Sequence, residues 1–316
     1  MPKQYTILSM GAIYLDTNCF HYPFREGLMT ETETVGSEYE YVLGGSAVNF
    51  ARIAASLELG PIFVGKIGND VPGEIITKLM LKSGIEPALI NDSMVQTNIN
   101  HSYINNEGET IMAVAGSANR SLKPSEALEA VRKYINKIDY LYLGGYFKMK
   151  SLHSIYPEII ELAHQAKVGV ILDHGRVTNE VSQSEIEILQ GLISTIDIYF
   201  PSEGEFIKVW GATSVEEGLK HLQTIYSGTT VVKQGENGAT SIKNGKIIHV
   251  DAFKVAIINT AGAGDSFNAG FMKAKTEGCS LQDSIKTGCA TASLKISQDE
   301  IPTWEKVKNF VSLINK

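Results

Sequence analysis

The sequence predicts an α/β fold with a mostly parallel central sheet covered by helices on both faces, three layers in all, and a small β excursion attached to it. Three observations predict it. Short apolar runs without polar alternation recur through the middle of the chain, as strands buried on both faces require. Each is followed by a run at helical spacing, and the pairs alternate at βαβ distance. No repeat and no low-complexity linker divides the 316 residues, so 1–316 reads as a single domain.

In order along the chain, Ile7 to Met10 is a first strand, and 16–43, rich in Thr, Glu, Tyr and Phe without helical period, reads as loop and short strands. From Gly45 the residues Ala47, Phe50, Ala51, Ala54 and Leu57 pattern an amphipathic helix that ends near Gly60. Pro61 to Gly65 is a buried strand, and Val71 to Lys82 a helix closed by Gly84. A second polar, strand-like segment spans Thr97 to Ala115, turning at Asn105-Asn106-Glu107-Gly108. Strands at 140–143, 168–172, 198–200 and 229–232 then alternate with helices at 152–166, 184–193 and 215–225. Asn244-Gly245 marks a hairpin, and helices at 263–274, 281–296 and 304–314 finish the chain.

Composition narrows the function. The chain is 43% hydrophobic and 20% charged, which excludes disorder and fibre. A formal charge of −7, from 28 Lys+Arg against 35 Asp+Glu, offers no overall footprint for nucleic acid. Cys19, Cys279 and Cys289 show no C-x-x-C spacing, which reads as a reducing compartment without structural zinc. The apolar run from Ile7 to Leu15 is interrupted by Gly11 and too short for a membrane span, so a cytoplasmic protein without membrane contact is expected. The most informative count is 29 glycines, because glycine serves where backbone turns sharply or approaches a ligand closely.

Those glycines cluster twice before a helix. Asn259-Thr260-Ala261-Gly262-Ala263-Gly264-Asp265-Ser266-Phe267 lets successive backbone N–H groups converge at a helix N-terminus, a nest suited to phosphate. Asp265 would set a base beside that phosphate; taken alone, it is equally an acidic first-turn residue that the helix dipole favours. Gly44-Gly45-Ser46-Ala47-Val48-Asn49 is, alone, a tight turn with an N-cap serine.

Together the two clusters resemble the ribokinase-like (PfkB) family of carbohydrate and nucleoside kinases. Gly44-Gly45-x-x-x-Asn49-x-Ala51 through Gly65-x-x-Gly68-x-Asp70-x-x-Gly73 is similar to the family's first motif, and Gly262-Ala263-Gly264-Asp265-x-Phe267 with Ala269-Gly270-Phe271 to its second. The resemblance runs over roughly residues 5 to 314 and implies the ribokinase-like α/β/α sandwich with a small β-sheet lid, here the segments 17–43 and 97–115. It implies Asp265 as general base, the amides of Gly262, Ala263 and Gly264 as anion hole, and Asp16, Gly44, Gly45 and Asn49 as binders of the acceptor's hydroxyls. For the nucleotide it implies Ser202, Glu205, Lys233, Gly235, Gly238, Gly264 and Cys289, with Glu205 reaching Mg²⁺ through water. The implied reaction is transfer of the γ-phosphate of ATP to a primary or anomeric-adjacent hydroxyl of a small sugar, by a homodimer joined through the lids. Such a transfer asks for positioning, neutralisation and exclusion of water more than covalent chemistry.

The chain also departs from the family pattern. Asn259-Thr260 stands for Asp-Thr, which leaves a monovalent cation open. Ser202 replaces the asparagine of N-x-x-E, and Asp173-His174-Gly175-Arg176 is one residue short of D-x-N-x-R. After Ala290-Thr291-Ala292-Ser293 the usual glycine gives way to Gln298-Asp299-Glu300, which leaves the donor base open. The alternatives are a nucleoside kinase of the same family, with Tyr14, Phe20, Tyr22, Tyr103 and Tyr146 as aromatics for a base, and a non-catalytic sugar-binding descendant. Cys289 by its apolar surroundings alone reads as packing. Gly60-x-x-x-x-Gly65-Lys66 lacks the Ser/Thr of a P-loop, no G-x-G-x-x-G follows a strand, and the histidines lack metal spacing. His174, at a strand end on the ligand side of an open sheet, is the histidine to watch.

Overall fold

The structure, a computed structural model, describes residues 6–22, 36, 38–107, 109–298 and 300–314. Parts of the first lid segment (23–35 and 37), Gly108 of the predicted turn and Asp299 of the C-terminal departure lie outside the described residues. The early strands are β1 (Ile7–Met10), β2 (Tyr14–Phe20), β3 (Glu38–Gly44), β4 (Pro61–Gly68), β5 (Glu86–Asp92), β6 (Ile99–Ile104) and β7 (Thr110–Ala115). The later ones are β8 (Tyr140–Gly144), β9 (Gly169–Asp173), β10 (Ile198–Tyr199), β11 (Thr229–Lys233), β12 (Ala239–Lys243) and β13 (Lys246–Val250). The helices are α1 (Ser46–Ser56), α2 (Val71–Lys82), α3 (Ala118–Ser121), α4 (Pro124–Tyr134), α5 (Tyr156–Gln165) and α6 (Gln183–Ile193), then α7 (Glu203–Trp210), α8 (Val215–Leu222), α9 (Ala263–Thr276), α10 (Leu281–Ile296) and α11 (Trp304–Ile314).

The main sheet has nine strands in the order β13-β12-β11-β10-β9-β8-β1-β4-β5. All its pairings are parallel except β11 with β12 and β12 with β13. Alternate residues of each strand enter different cores. Leu8, Met10, Ile62, Val64, Leu141 and Leu143 pack with α4 to α8, whereas Ile7, Phe63, Tyr142, Ile171 and Val231 pack with α1, α2, α9, α10 and α11. This explains the unalternating apolar strands. A chain leaving β1 turns one way to β4 and the other way to β8, so the ligand crevice of an open sheet belongs at the carboxyl ends near β1.

The polar segments form a separate sheet, β3-β2-β6-β7. In it β2 runs antiparallel to β3 and parallel to β6, which sets Asp16 beside Val42 and Asn100. Several elements differ from the sequence reading. The helix expected from 152 begins at Tyr156, after tight turns at Tyr146–Lys148 and Lys150–Leu152, because Pro157 suits only a first helical turn. The strand β5 and the helices α4 and α7 have no counterpart in that reading. β5 carries Pro87 and a half-polar surface, as an edge strand tolerates, and α7 buries only Phe206 and Val209, too few for a full apolar stripe.

Candidate active site

The N-terminus of α9 lines one cavity and is hydrogen-bonded to the wall of a second. Gly262 caps it in the left-handed conformation, φ 74°, which only glycine adopts without strain. Thr260 and Asn259 fold the turn before it: the Asn259 carbonyl Oδ1 accepts the Ala261 N–H at 2.8 Å, and the Thr260 carbonyl accepts the Ala263 N–H at 3.2 Å. The helical ladder begins when Ser266 N–H donates to Gly262 O at 2.9 Å, so the amides before it are the ones a helix start leaves for a ligand. Asn259 thus has a local role, that of the turn's side-chain acceptor.

On one side lies a cavity of about 670 Å³ lined by Lys233, Gly235, Gly238, Phe253, Val255, Ile257, Ala263, Gly264, Cys289, Ala292 and Ile296. Its apolar walls and glycine turn suit a flat heterocycle with a charged tail. On the other side a cavity of about 470 Å³ is lined by Ala12, Tyr14, Asp16, Gly45, Ser46, Asn100, Val114, Lys148, His174 and Arg176. Asp265 stands between them: its Oδ1 accepts the Ser46 hydroxyl proton at 2.6 Å, and Asn49 also hydrogen-bonds its carboxylate. Burial and the nearby Asp173 push the Asp265 carboxyl up to about 7, against the opposing pull of Ser46, Lys233 and Asn49. Burial likewise raises Asp16 to about 6, partly offset by its hydrogen bond with Asn100 and the charge of Arg52.

Asp173 behaves differently. It too is buried, which works against its charge, but Lys233 Nζ sits 2.7 Å from Oδ2 and wins, so its carboxyl is held below the usual range. Asn268 Nδ2 donates to the same oxygen at 2.7 Å and to the Tyr142 hydroxyl at 3.1 Å. Neighbouring carboxylates driven apart in this way are what an acid–base site needs.

The structure therefore brings together Ala263, Gly264, Lys233, Gly235, Gly238 and Cys289 on the first cavity and Asp16 and Gly45 on the second, with Asp265 next to Gly264 and bonded to Ser46 of the second lining. Gly44 lies behind Asp16, where any Cβ would fall 2.2 Å from both carboxylate oxygens. Ser202 and Glu205 stand outside both linings, the Glu205 carboxylate accepting the Ser202 N–H at 2.9 Å at the start of α7. Of the aromatics considered for a nucleoside base, Tyr14 lines the second cavity, Tyr22 and Tyr103 pair with each other at 4.7 Å, and Tyr146 is buried in the core against His153. His174 lines the second cavity with its Nδ1 bonded to Gly175 O at 2.6 Å. Sequence reasoning missed Tyr142, Asn268 and Asn100. Asn268 was within reach, since it falls one helical turn after Asp265 and shares its face.

The likeness to known proteins is extensive. The 5-dehydro-2-deoxygluconokinase of Bacillus subtilis is 28% identical over 98% of this chain and 96% of its own length, and the ribokinase of the same organism 24% identical over 89% and 92%. Among solved structures, the ribokinase of Arabidopsis thaliana in complex with ribose and ATP superposes with a TM-score of 0.80 at 22% identity, covering 98% of this chain and 99% of that one. The Thermotoga maritima ribokinase gives 0.78 at 22% identity over 98% and 99%. With the pfkB family carbohydrate kinase pattern matched over residues 7–301, the chain belongs to the pfkB family of carbohydrate kinases.

Proposed function

We propose that this kinase transfers the γ-phosphate of ATP to a hydroxyl of a small carbohydrate acid, with Asp265 as general base. The observation that carries the reaction is the placement of Asp265, which follows Gly264 of the first cavity and accepts a hydrogen bond from Ser46 of the second. ATP fills the cavity between the Lys233–Gly238 turn and α10, its phosphates reaching the amides of Gly262, Ala263 and Gly264, where Ala263 exchanges its Thr260 partner for phosphate. Fixed N–H donors act there on charge as it develops. The acceptor lies against Asp16, Asn100 and Gly45, with Asn49 and Gly44 supporting Asp265 and Asp16. Its hydroxyl loses a proton to Asp265 as its oxygen attacks phosphorus, and ADP leaves.

Mg²⁺ would supply neutralisation of the phosphates, with Glu205, which stands outside the cavity linings, as the residue that would hold it through water. Among the described residues no cluster of three or more His, Cys, Asp or Glu forms a metal cage, which fits an ion bound mainly by phosphate and water. The small sheet serves as lid. It exposes Tyr39 and Tyr41 on the face turned away from Asp16, which supports pairing of two lids in a homodimer. No helix among the described residues is long and apolar enough to cross a membrane; with Cys19, Cys279 and Cys289 free, we place the protein in the cytoplasm.

The acid group of the acceptor is supported by Lys148 and Arg176, both exposed cations on the acceptor cavity, and by the relatives named as 5-dehydro-2-deoxygluconokinases. The test is ADP release with 5-dehydro-2-deoxygluconate, ribose, fructose and adenosine. The acid should give the highest kcat/KM, and Asp265→Asn should lower kcat by about 10²–10⁴-fold. An Asp265→Asn variant at near wild-type rate refutes the assigned base, and equal or better turnover of adenosine refutes the acceptor.

A further inference from the structure

We infer that Asn119, together with Asn98, is a positioning residue for the acceptor: the two buried amides pin the roots of the lid strands that carry Asp16 and Asn100. The inference rests on the reading of Asp16 and Asn100 as acceptor binders.

The first pin stands where the chain leaves one sheet for the other. β1 ends at Met10 and the lid strand β2 begins at Tyr14, so Ile13 lies between the two ladders, and it is fully buried. Buried backbone groups need partners, and here one side chain on α3 serves both. Asn119 Oδ1 accepts the Ile13 N–H at 3.0 Å, and Asn119 Nδ2 donates to the Ile13 carbonyl at 2.9 Å. A side-chain amide carries an acceptor and a donor side by side, as a strand neighbour would, whereas a carboxylate or a hydroxyl does not. The Ile13 N–H can only donate, which fixes which end of the Asn119 amide is oxygen.

Asn98 extends the junction to the other lid strands. Its Oδ1 accepts the Asn119 backbone N–H at 2.8 Å, and its Nδ2 donates to the Ala115 carbonyl at 3.3 Å. Its own carbonyl accepts the Leu15 N–H at 2.9 Å. The beginnings of β2 and β6 and the end of β7 thus meet on two buried asparagines. Thr97 anchors this junction to the body of the protein: its N–H donates to Asp70 Oδ2 at 2.9 Å, and its hydroxyl accepts the Gly68 N–H at 2.8 Å.

The acceptor side chains follow at once. Asp16 lies three residues after Ile13 and Asn100 two after Asn98; the register of β2 and β6 sets them side by side, and both line the acceptor cavity. Asn119 and Asn98 do not line it, so they act through the strands they hold. Without the Asn119 amide, Ile13 keeps two buried polar groups unpaired, and the chain relieves that cost by shifting the root of β2. A misplacement of about 1 Å remote from the chemistry can cost about 10²-fold in rate.

The experiment measures kcat/KM for the best-used acceptor of the panel above, at saturating Mg·ATP, and the Kd for ADP by titration calorimetry. It compares wild type, Asn119→Ala, the Asp16→Ala/Asn100→Ala variant and the triple variant. Asn119→Ala should lower the acceptor kcat/KM by about 10- to 100-fold. It should leave the Kd for ADP within about twofold of wild type, and in the Asp16→Ala/Asn100→Ala background it should cost no more than about twofold, since nothing is left there for it to position. An undiminished fall in that background overturns the inference, as does an unchanged kcat/KM for Asn119→Ala or an equal loss of ADP affinity. If Asn119→Ala fails to fold, Asn119→Asp, which keeps an acceptor for the Ile13 N–H and loses the donor, decides by the same cycle. An Asp16→Ala/Asn100→Ala variant with wild-type kcat/KM removes the acceptor reading and the inference with it, whereas a weakened one beside an unaffected Asn119→Ala removes the inference alone.

Discussion

Gly44→Ala isolates the acceptor side of the site. Gly44 ends β3 opposite Tyr14, and its backbone is not in the left-handed region, so alanine fits the chain conformation without strain. The cost falls on Asp16 alone. A Cβ there would lie 2.2 Å from both carboxylate oxygens, where ordinary contact needs more than about 3 Å, so the carboxylate must withdraw by about 1 Å. That movement breaks its register with Asn100 on β6 and its aim at an acceptor hydroxyl. A hydrogen bond to a charged group contributes about 1.5–3 kcal/mol, so the acceptor KM should rise by about 10- to 100-fold. The KM for ATP should stay near wild type, because the nucleotide cavity lies beyond α9. Initial-rate ADP release over crossed acceptor and ATP series reads both constants, and Asp16→Ala with and without Gly44→Ala checks that the two changes do not add. An unchanged acceptor KM, or an equal rise for ATP, would refute the steric argument.

Three further outcomes are expected. Asp265 is raised from 3.8 to about 7, so the folded protein keeps a proton that the unfolded chain releases, and stability falls as pH climbs through that window. Neutral Asp265→Asn escapes this: by differential calorimetry it should melt several degrees above wild type at about pH 8, roughly 4 kcal/mol for the rise from 3.8 to about 7, with the gap closing towards about pH 4. Chelation by EDTA should abolish ADP release, and added Mg²⁺ should restore it; full activity in chelator would remove the metal from the reaction. In sedimentation velocity the wild type should run as a dimer and Tyr39→Glu/Tyr41→Glu as a monomer, since two charges placed on the exposed β3 face oppose lid pairing; unaltered dimers would put the interface elsewhere.

The fold was legible because its strands are buried on both faces and its helices are long enough to show a period: Val71–Lys82, Leu281–Ile296 and Trp304–Ile314 begin and end where the sequence reading puts them. Edge strand β5 and short α7 were not, since neither carries a full pattern. The site divides along similar lines. Gly262 and Gly44 announce themselves because no other residue meets the backbone requirement of the first or the space requirement of the second. Tyr142 does not, because a tyrosine in the run Tyr140-Leu141-Tyr142-Leu143 looks like any buried aromatic, and only the meeting of β8, α1 and α9 gives its hydroxyl a neighbour. Lys148 and Arg176 come from separate loops after β8 and β9, so no spacing in the sequence links them.

The charge balance of the site explains why one lysine matters more than its single charge suggests. The chain carries −7, and four acidic residues, Asp16, Asp173, Glu205 and Asp265, are gathered about the two cavities in which a polyphosphate is to react. Lys233 cannot neutralise them all. It is spent almost entirely on Asp173, 2.7 Å away, which keeps that carboxylate ionised at the end of β9 and lets it repel charge from Asp265. Asp265, desolvated by burial first and repelled by Asp173 second, is poised near 7 rather than near 3.8. A carboxylate with an ordinary pKa would be a permanent anion facing the γ-phosphate and too weak a base to help; one poised near the working pH exchanges its proton readily and opposes the phosphate less. The ion pair therefore acts one residue removed from the proposed base, and in the proposed reaction the phosphate is left to the amides of α9 and to Mg²⁺.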